Sequence, residues 1–168
     1  MQTIRTKRLV IKPYEKKDLE ALSELLLDEE IKRSFMIPDL GTKEALDRML
    51  DKLYRYSLSD EHFERGIYLN GILIGFVNDV EIHEGTIELG YVISPLYKGQ
   101  GYATEMLKAV IQALLGNGFD TIITASFDWN AGSIRVMEKS GMHRISRDEH
   151  VLYHGKDERC VYYSTASS

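Results

Sequence analysis

The stretch YKGQGYATEM, residues 97–106, sets two glycines directly before an apolar periodicity that begins at Ala103. It follows ELGYVISP, residues 88–95, which reads as a strand that stops at a proline. A strand feeding a glycine-rich turn and then a helix leaves several backbone N–H groups without intrahelical partners at the positive end of the helix dipole. The missing side chains let an anion approach those amides and permit the φ values that a nest of amides needs. Gly99, Gly101 and Ala103 supply that room. The stretch is not a nucleoside-triphosphate loop, which needs Gly, four residues and Gly-Lys-Ser/Thr. Nor is it a dinucleotide fingerprint, because Thr104 stands where a third glycine or alanine belongs. Taken alone, a glycine pair that simply turns the chain reads equally well.

Outward from this stretch the chain alternates short strands and amphipathic helices. Thr3–Pro13 alternates as a strand; Asp18–Asp28 and Lys43–Tyr56 carry leucine-rich helical periods, joined by the loop SFMIPDLG (34–41), which either packs over the core or walls a pocket. Asn70-Gly71 between IYL and ILIGFV is a hairpin signal, since both residues tolerate the positive φ of a type I′ turn. A further turn at His83-Glu84-Gly85 leads into the strand TIELGYVI. A helix over Gly101–Leu115 ends at Gly116-Asn117-Gly118, and TIITASF (121–127) then joins the sheet in parallel, as strands after crossover helices do. Asn130 opens a helix running to about Ser140, capped by Gly141. Two last strands, Met142–Asp148 and Arg159–Ser164, surround polar turns at Glu149-His150 and His154-Gly155. The expected architecture is α+β, a mixed and mostly antiparallel sheet with helices on both faces.

Composition bounds the function. The 168 residues suit a single domain spanning 1–168, and 43% hydrophobic with 28% charged residues is ordinary for a soluble globular chain. The net charge of −5, with basic residues scattered among acidic ones, argues against nucleic acid as a partner. The longest apolar runs, such as Gly71–Val77, fall far short of the roughly 20 residues of a membrane span. The charged N-terminal MQTIRTKRLVIK is unlike a signal peptide, and one cysteine, Cys160, forms no internal disulfide, so a cytoplasmic location is expected. Cys160 reads as a structural strand residue, and His83, His143, His150 and His154 lack metal-ligand spacing, so no metal is expected.

Lys98-Gly99-Gln100-Gly101-Tyr102-Ala103 resembles the Arg/Gln-x-x-Gly-x-Gly/Ala signature of the GNAT acyl-CoA N-acetyltransferases. The resemblance runs nearly end to end. It is most specific in TKRLVIKPYEKKDLEAL (6–22), ELGYVISPLYKGQGYATEM (88–106) and DWNAGSIRVMEKSGM (128–142), which are similar to the branch of ribosomal-protein N-terminal acetyltransferases. It implies an acetyl-CoA-dependent N-acetyltransferase that acts by direct attack in a ternary complex on a small-molecule or peptide N-terminal amine, as a monomer or homodimer. By the same resemblance, the amides of Lys98, Gly99, Gln100, Gly101, Tyr102 and Ala103 hold the diphosphate of coenzyme A. Thr104 adds a donor, and the main chain of Tyr91, Val92 and Ile93 faces the pantetheine arm. Asn130, with Ser133 beside it, contacts the pantetheine in this reading, although Asn followed three residues later by Ser is also an ordinary helix cap. Ile134 and Met137 are core residues or the wall against which the cofactor lies.

Glu88 is the candidate base, being on the same strand two residues before Gly90, where the family often places a glutamate; a solvated strand residue is the competing reading. Several relatives carry a tyrosine as general acid seven residues after the helix-opening asparagine. Met137 stands there in this chain, and a thioether donates no proton. Water, Tyr102, Ser140 and Tyr153 remain as acids. The same departure leaves open a rival from another class, an acyl-CoA-binding sensor without turnover. A nucleotide-binding protein is the third reading, disfavoured by the motif mismatches above.

Overall fold

The computed structural model describes residues 2–166. Its contacts gather the chain into two units, one formed by the residues up to Asn78 with Tyr91–Tyr102, the other by Asp79–Gly90 with the chain from Ala103 onward. Strands pair mostly antiparallel with one parallel ladder described below, and helices pack on them, an α+β arrangement with a mixed sheet.

The first unit opens with an antiparallel hairpin, β1 (Ile4–Arg5) and β2 (Leu9–Lys12). Alternation predicts one strand over Thr3–Pro13. The chain instead turns at Thr6, whose N–H donates to the Leu9 carbonyl at 2.9 Å and whose hydroxyl accepts from the Leu9 N–H at 2.9 Å. β2 pairs antiparallel with β3 (Glu64–Leu69), and β3 with β4 (Ile72–His83) across the expected Asn70-Gly71 turn, φ 50° and 79°.

Helices α1 (Leu19–Leu27) and α3 (Lys43–Leu58) form where the leucine periods predict them. Leu22, Leu25 and Leu26 of α1 enter a core with Tyr14, Tyr68, Phe76 and Val92, against which Leu46, Met49 and Leu53 of α3 pack. A short helix between them, α2 (Glu29–Ser34), is capped by Asp28, whose carboxylate accepts from the Ile31 N–H at 2.9 Å. Apolar periodicity does not announce it, because Ile31 alone of its six residues is buried. The following loop packs over the core: Ile37 is buried and Phe35 meets Phe76 edge-on at 5.6 Å, while Met36 is exposed.

In the second unit the outer part of β4 turns at Glu84 and Gly85 (φ 45° and 78°) into β5 (Thr86–Ile93). β5 pairs in parallel with β6 (Thr121–Phe127), reached through α4 (Tyr102–Gly116), as a strand following a crossover helix should. Met106, Leu107, Val110, Ile111 and Leu114 form the buried stripe of α4. β6 pairs antiparallel with β8 (Lys156–Ser164), and β8 with β7 (His143–Tyr153).

The polar turn expected at Glu149-His150 does not exist. β7 runs through it, with Glu149 opposite Cys160 and His150 opposite Arg159, and the chain reverses only at His154-Gly155 (φ 49° and 74°). The polar residues there are the exposed side of a long hairpin rather than a turn. Helix α5 (Ala131–Lys139) lies on the face of β6 and β8 that carries Thr124 and Tyr163, since Met137 Sδ accepts from Thr124 Oγ1 at 2.6 Å and Tyr163 donates to Glu138 at 3.2 Å. The opposite face holds Phe127, Cys160 and Tyr162. Among the described residues no helix is long and apolar enough to cross a membrane.

Candidate active site

Past Ile93 the Ser94 N–H donates to the Ile74 carbonyl at 2.7 Å, and the Ser94 hydroxyl accepts from the Leu96 N–H at 3.3 Å to start the short 3₁₀ turn Pro95–Tyr97. Residues 98–101 then cross exposed surface to the first turn of α4. Gly99 and Gly101 adopt φ 76° and 82°, a region that residues with a Cβ avoid. A Cβ built at Gly99 would meet nothing within 4 Å, and one at Gly101 would meet only Arg8 Nη2, at 3.4 Å. The side of Gly99 on which a Cβ would stand is open, and that of Gly101 faces Arg8.

Two cations flank this loop. Lys98, which opens the loop, pairs with Glu30 of α2, Nζ to Oε1 2.5 Å. Arg8, which the site reading of the sequence omits, donates from Nη1 to the Gln100 carbonyl at 2.9 Å and lays its guanidinium over the Tyr102 ring, 4.4 Å from the centroid.

The β5–β6 ladder runs from Thr86↔Thr121 to Leu89↔Thr124, and among the described residues it ends there, although β5 continues to Ile93 and β6 to Phe127. The Val92 side chain is buried in the first unit's core, and its carbonyl lies against Gly75 of β4 so closely that a Cβ there would collide with it. The glycine inside ILIGFV is the sequence signal for such an approach.

Glu88 is 8% exposed, so it is not the solvated strand residue of the competing reading. Arg147 Nη1 donates to Glu88 Oε2 at 2.9 Å and Arg147 Nε to Glu149 Oε1 at 2.8 Å, while the guanidinium lies 3.9 Å from the Tyr162 ring centroid. Tyr162 in turn donates to Glu149 Oε2 at 2.9 Å. Burial pushes the Glu88 carboxyl above its ordinary value, Arg147 opposes that rise, and Glu149 and Glu81 add to it. Arg147 and Glu149 escape a reading of the sequence, because a register shift between Arg144 and Asp148 breaks the alternation of β7.

The remaining candidates divide. Asn130 Oδ1 accepts from the Ser133 N–H at 3.2 Å, the helix-cap geometry. Met137 is fully buried, a core residue that offers no proton. Among the candidate acids, Ser140 donates to the Val136 carbonyl at 2.7 Å, Tyr153 stacks on His154 at 3.9 Å, and Tyr102 is buried beneath Arg8. Cys160 is buried and its thiol is pushed up by that burial, the opposite of an activated nucleophile. Among the described residues no group of three or more His, Cys, Asp or Glu gathers as a metal site.

The profile described as an acetyltransferase (GNAT) domain matches residues 8–143. The chain is 31% identical over 144 residues to the "Uncharacterized N-acetyltransferase YnaD" of Bacillus subtilis (strain 168), covering 84% of this chain and 82% of that protein. Its fold matches the crystal structure of a GNAT-family acetyltransferase from Bacillus anthracis with a TM-score of 0.81 at 26% identity, over 97% of each chain. It also matches RimL, a ribosomal L7/L12 alpha-N-protein acetyltransferase solved in complex with coenzyme A, with a TM-score of 0.83 at 15% identity over 97% of each chain. With the glycine loop ahead of α4 and the matched segment extending across most of the sequence, the chain belongs to the GNAT family of N-acetyltransferases.

Proposed function

We propose that the protein moves the acetyl group of acetyl-CoA onto a primary amine by direct attack in a ternary complex. The observation that carries this reading is the pair of exposed glycines at positive φ, Gly99 with open space before it, at the start of a helix. Family membership and the coenzyme A bound to RimL support it. Bound acetyl-CoA supplies a thioester, whose carbonyl carbon takes the amine nitrogen and whose carbon–sulfur bond breaks with its electron pair leaving on sulfur.

In this reading the amides of Lys98 to Ala103 and the Thr104 hydroxyl hold the diphosphate. The main chain of Tyr91, Val92 and Ile93 lines the pantetheine arm, with Asn130 and Ser133 touching it, and an amide near Val92 or Ile93 receives the developing oxyanion. An α-amino group has a pKa of about 8 and a lysine about 10.4, so the attacking amine must lose a proton. Glu88 accepts it, directly or through water. Met137 has no proton to give and Ser140 is engaged with Val136, so water, Tyr102 or Tyr153 protonates the leaving sulfur.

The acceptor is a small-molecule amine or a peptide N-terminus, the second favoured by the alpha-N-protein activity named for RimL. The reading places the protein in the cytoplasm as a monomer or homodimer, and the reaction as written requires no metal. Incubation with acetyl-CoA and a panel of peptides, amino acids, polyamines and amino sugars, followed by mass spectrometry with thiol release in parallel, tests it. Acetylated product and free thiol should appear in equal amounts for at least one amine class. Coenzyme A binding with no product and no thiol across the panel would instead favour the sensor.

A further inference from the structure

Arg8 stands at the β1–β2 turn, where the Thr6–Leu9 hydrogen bonds fix its backbone, yet its exposed side chain reaches residues more than ninety positions away. One edge of the guanidinium donates to the Gln100 carbonyl at 2.9 Å, its plane rests on Tyr102 at 4.4 Å, and Nη2 lies 3.4 Å from where a Gly101 Cβ would sit. A guanidinium held in this way has few rotamers left to lose when an oxygen anion arrives, and its planar fork suits a phosphate.

We infer that Arg8 is a cofactor-binding residue that grips the diphosphate of coenzyme A beside Gln100 and Gly101 of the loop, an inference resting on the proposed cofactor site. Arg8 thereby couples two tasks, bracing the Gln100 peptide and neutralising the phosphate charge. Two variants separate these tasks. Arg8→Gln keeps a donor for the Gln100 carbonyl without the charge, and Arg8→Lys keeps the charge without the fork.

Isothermal titration of coenzyme A, of dephospho-coenzyme A, which retains the diphosphate but lacks the 3′-phosphate, and of pantetheine, which lacks both, provides a readout independent of turnover. Arg8→Gln should weaken coenzyme A by about 10-fold, the scale of one charged hydrogen bond, and reduce the salt dependence of binding. Dephospho-coenzyme A should lose the same factor, pantetheine should lose nothing, and Arg8→Lys should recover most of the affinity. Undiminished coenzyme A affinity in Arg8→Gln would overturn the assignment. A loss that disappears with dephospho-coenzyme A would also overturn it, by moving the contact to the 3′-phosphate, and an equal loss for pantetheine would reduce Arg8 to a brace of the loop. If the unsubstituted protein binds no coenzyme A, the cofactor reading falls and this one with it; if it binds and only the Arg8 variants behave otherwise, the cofactor reading stands alone.

Discussion

Glu88→Gln is expected to lower kcat by about 100-fold while leaving coenzyme A affinity close to that of the unsubstituted protein, because a positioned general base contributes on that scale and the amide keeps the shape of the side chain. The pH profile discriminates further. A base works only when deprotonated, and burial raises the Glu88 carboxyl above the ordinary glutamate value, so the acid limb of kcat should fall at higher pH than a solvated glutamate would give. Arg147 is the group that opposes this rise. Removing its charge in Arg147→Gln therefore leaves burial, Glu149 and Glu81 unopposed, and the acid limb should move to still higher pH. In Glu88→Gln the limb should vanish. An unchanged profile in Glu88→Gln would remove the base role, and an acid limb that moves to lower pH in Arg147→Gln would contradict the electrostatics of the pair.

Gly75→Ala should produce the largest loss of stability among single methyl additions near the site. The added carbon would be driven into the Val92 carbonyl, a backbone atom that cannot rotate aside as a side chain can. Overpacking of this kind costs about 1–3 kcal/mol, which for a chain of this length corresponds to a drop in Tm of roughly 5 °C. Because Val92 lies on the strand proposed to line the pantetheine arm, the same substitution should raise KM for acetyl-CoA. Thermal unfolding followed by circular dichroism checks the first effect and initial rates the second. A Tm within about 1 °C of the unsubstituted protein would mean that β4 and β5 are not in this close contact.

What the sequence reveals and what it conceals follow one division. The Asn70-Gly71 hairpin, the strand–glycine–helix run over 88–106 and the Asn130 cap are local arrangements, decided by φ preferences and hydrogen bonds between residues a few positions apart. All three appear where local rules put them. The tail is misread because the path of β7 through Glu149 and His150 is fixed by pairing with β8, and its register shift removes the period-2 signal. α2 escapes notice because it is short and buries only Ile31.

The same division runs through the site. Glu88 and the loop glycines lie within one continuous stretch and can be found by eye. Arg147 is 59 residues from Glu88, and Arg8 is 92 from Gln100; only the folded chain joins them. Lys98 shows the converse, a residue whose position was legible but whose charge is taken up by Glu30, a partner that spacing alone could not identify.

Hydrogen–deuterium exchange of the backbone amides of residues 98–104, with and without coenzyme A, reports whether the glycine loop holds the cofactor. Exchange there should slow on adding coenzyme A, since amides donating to a diphosphate are shielded from water. Binding that leaves these amides exchanging at their free rate, with protection appearing in another part of the chain, would contradict it.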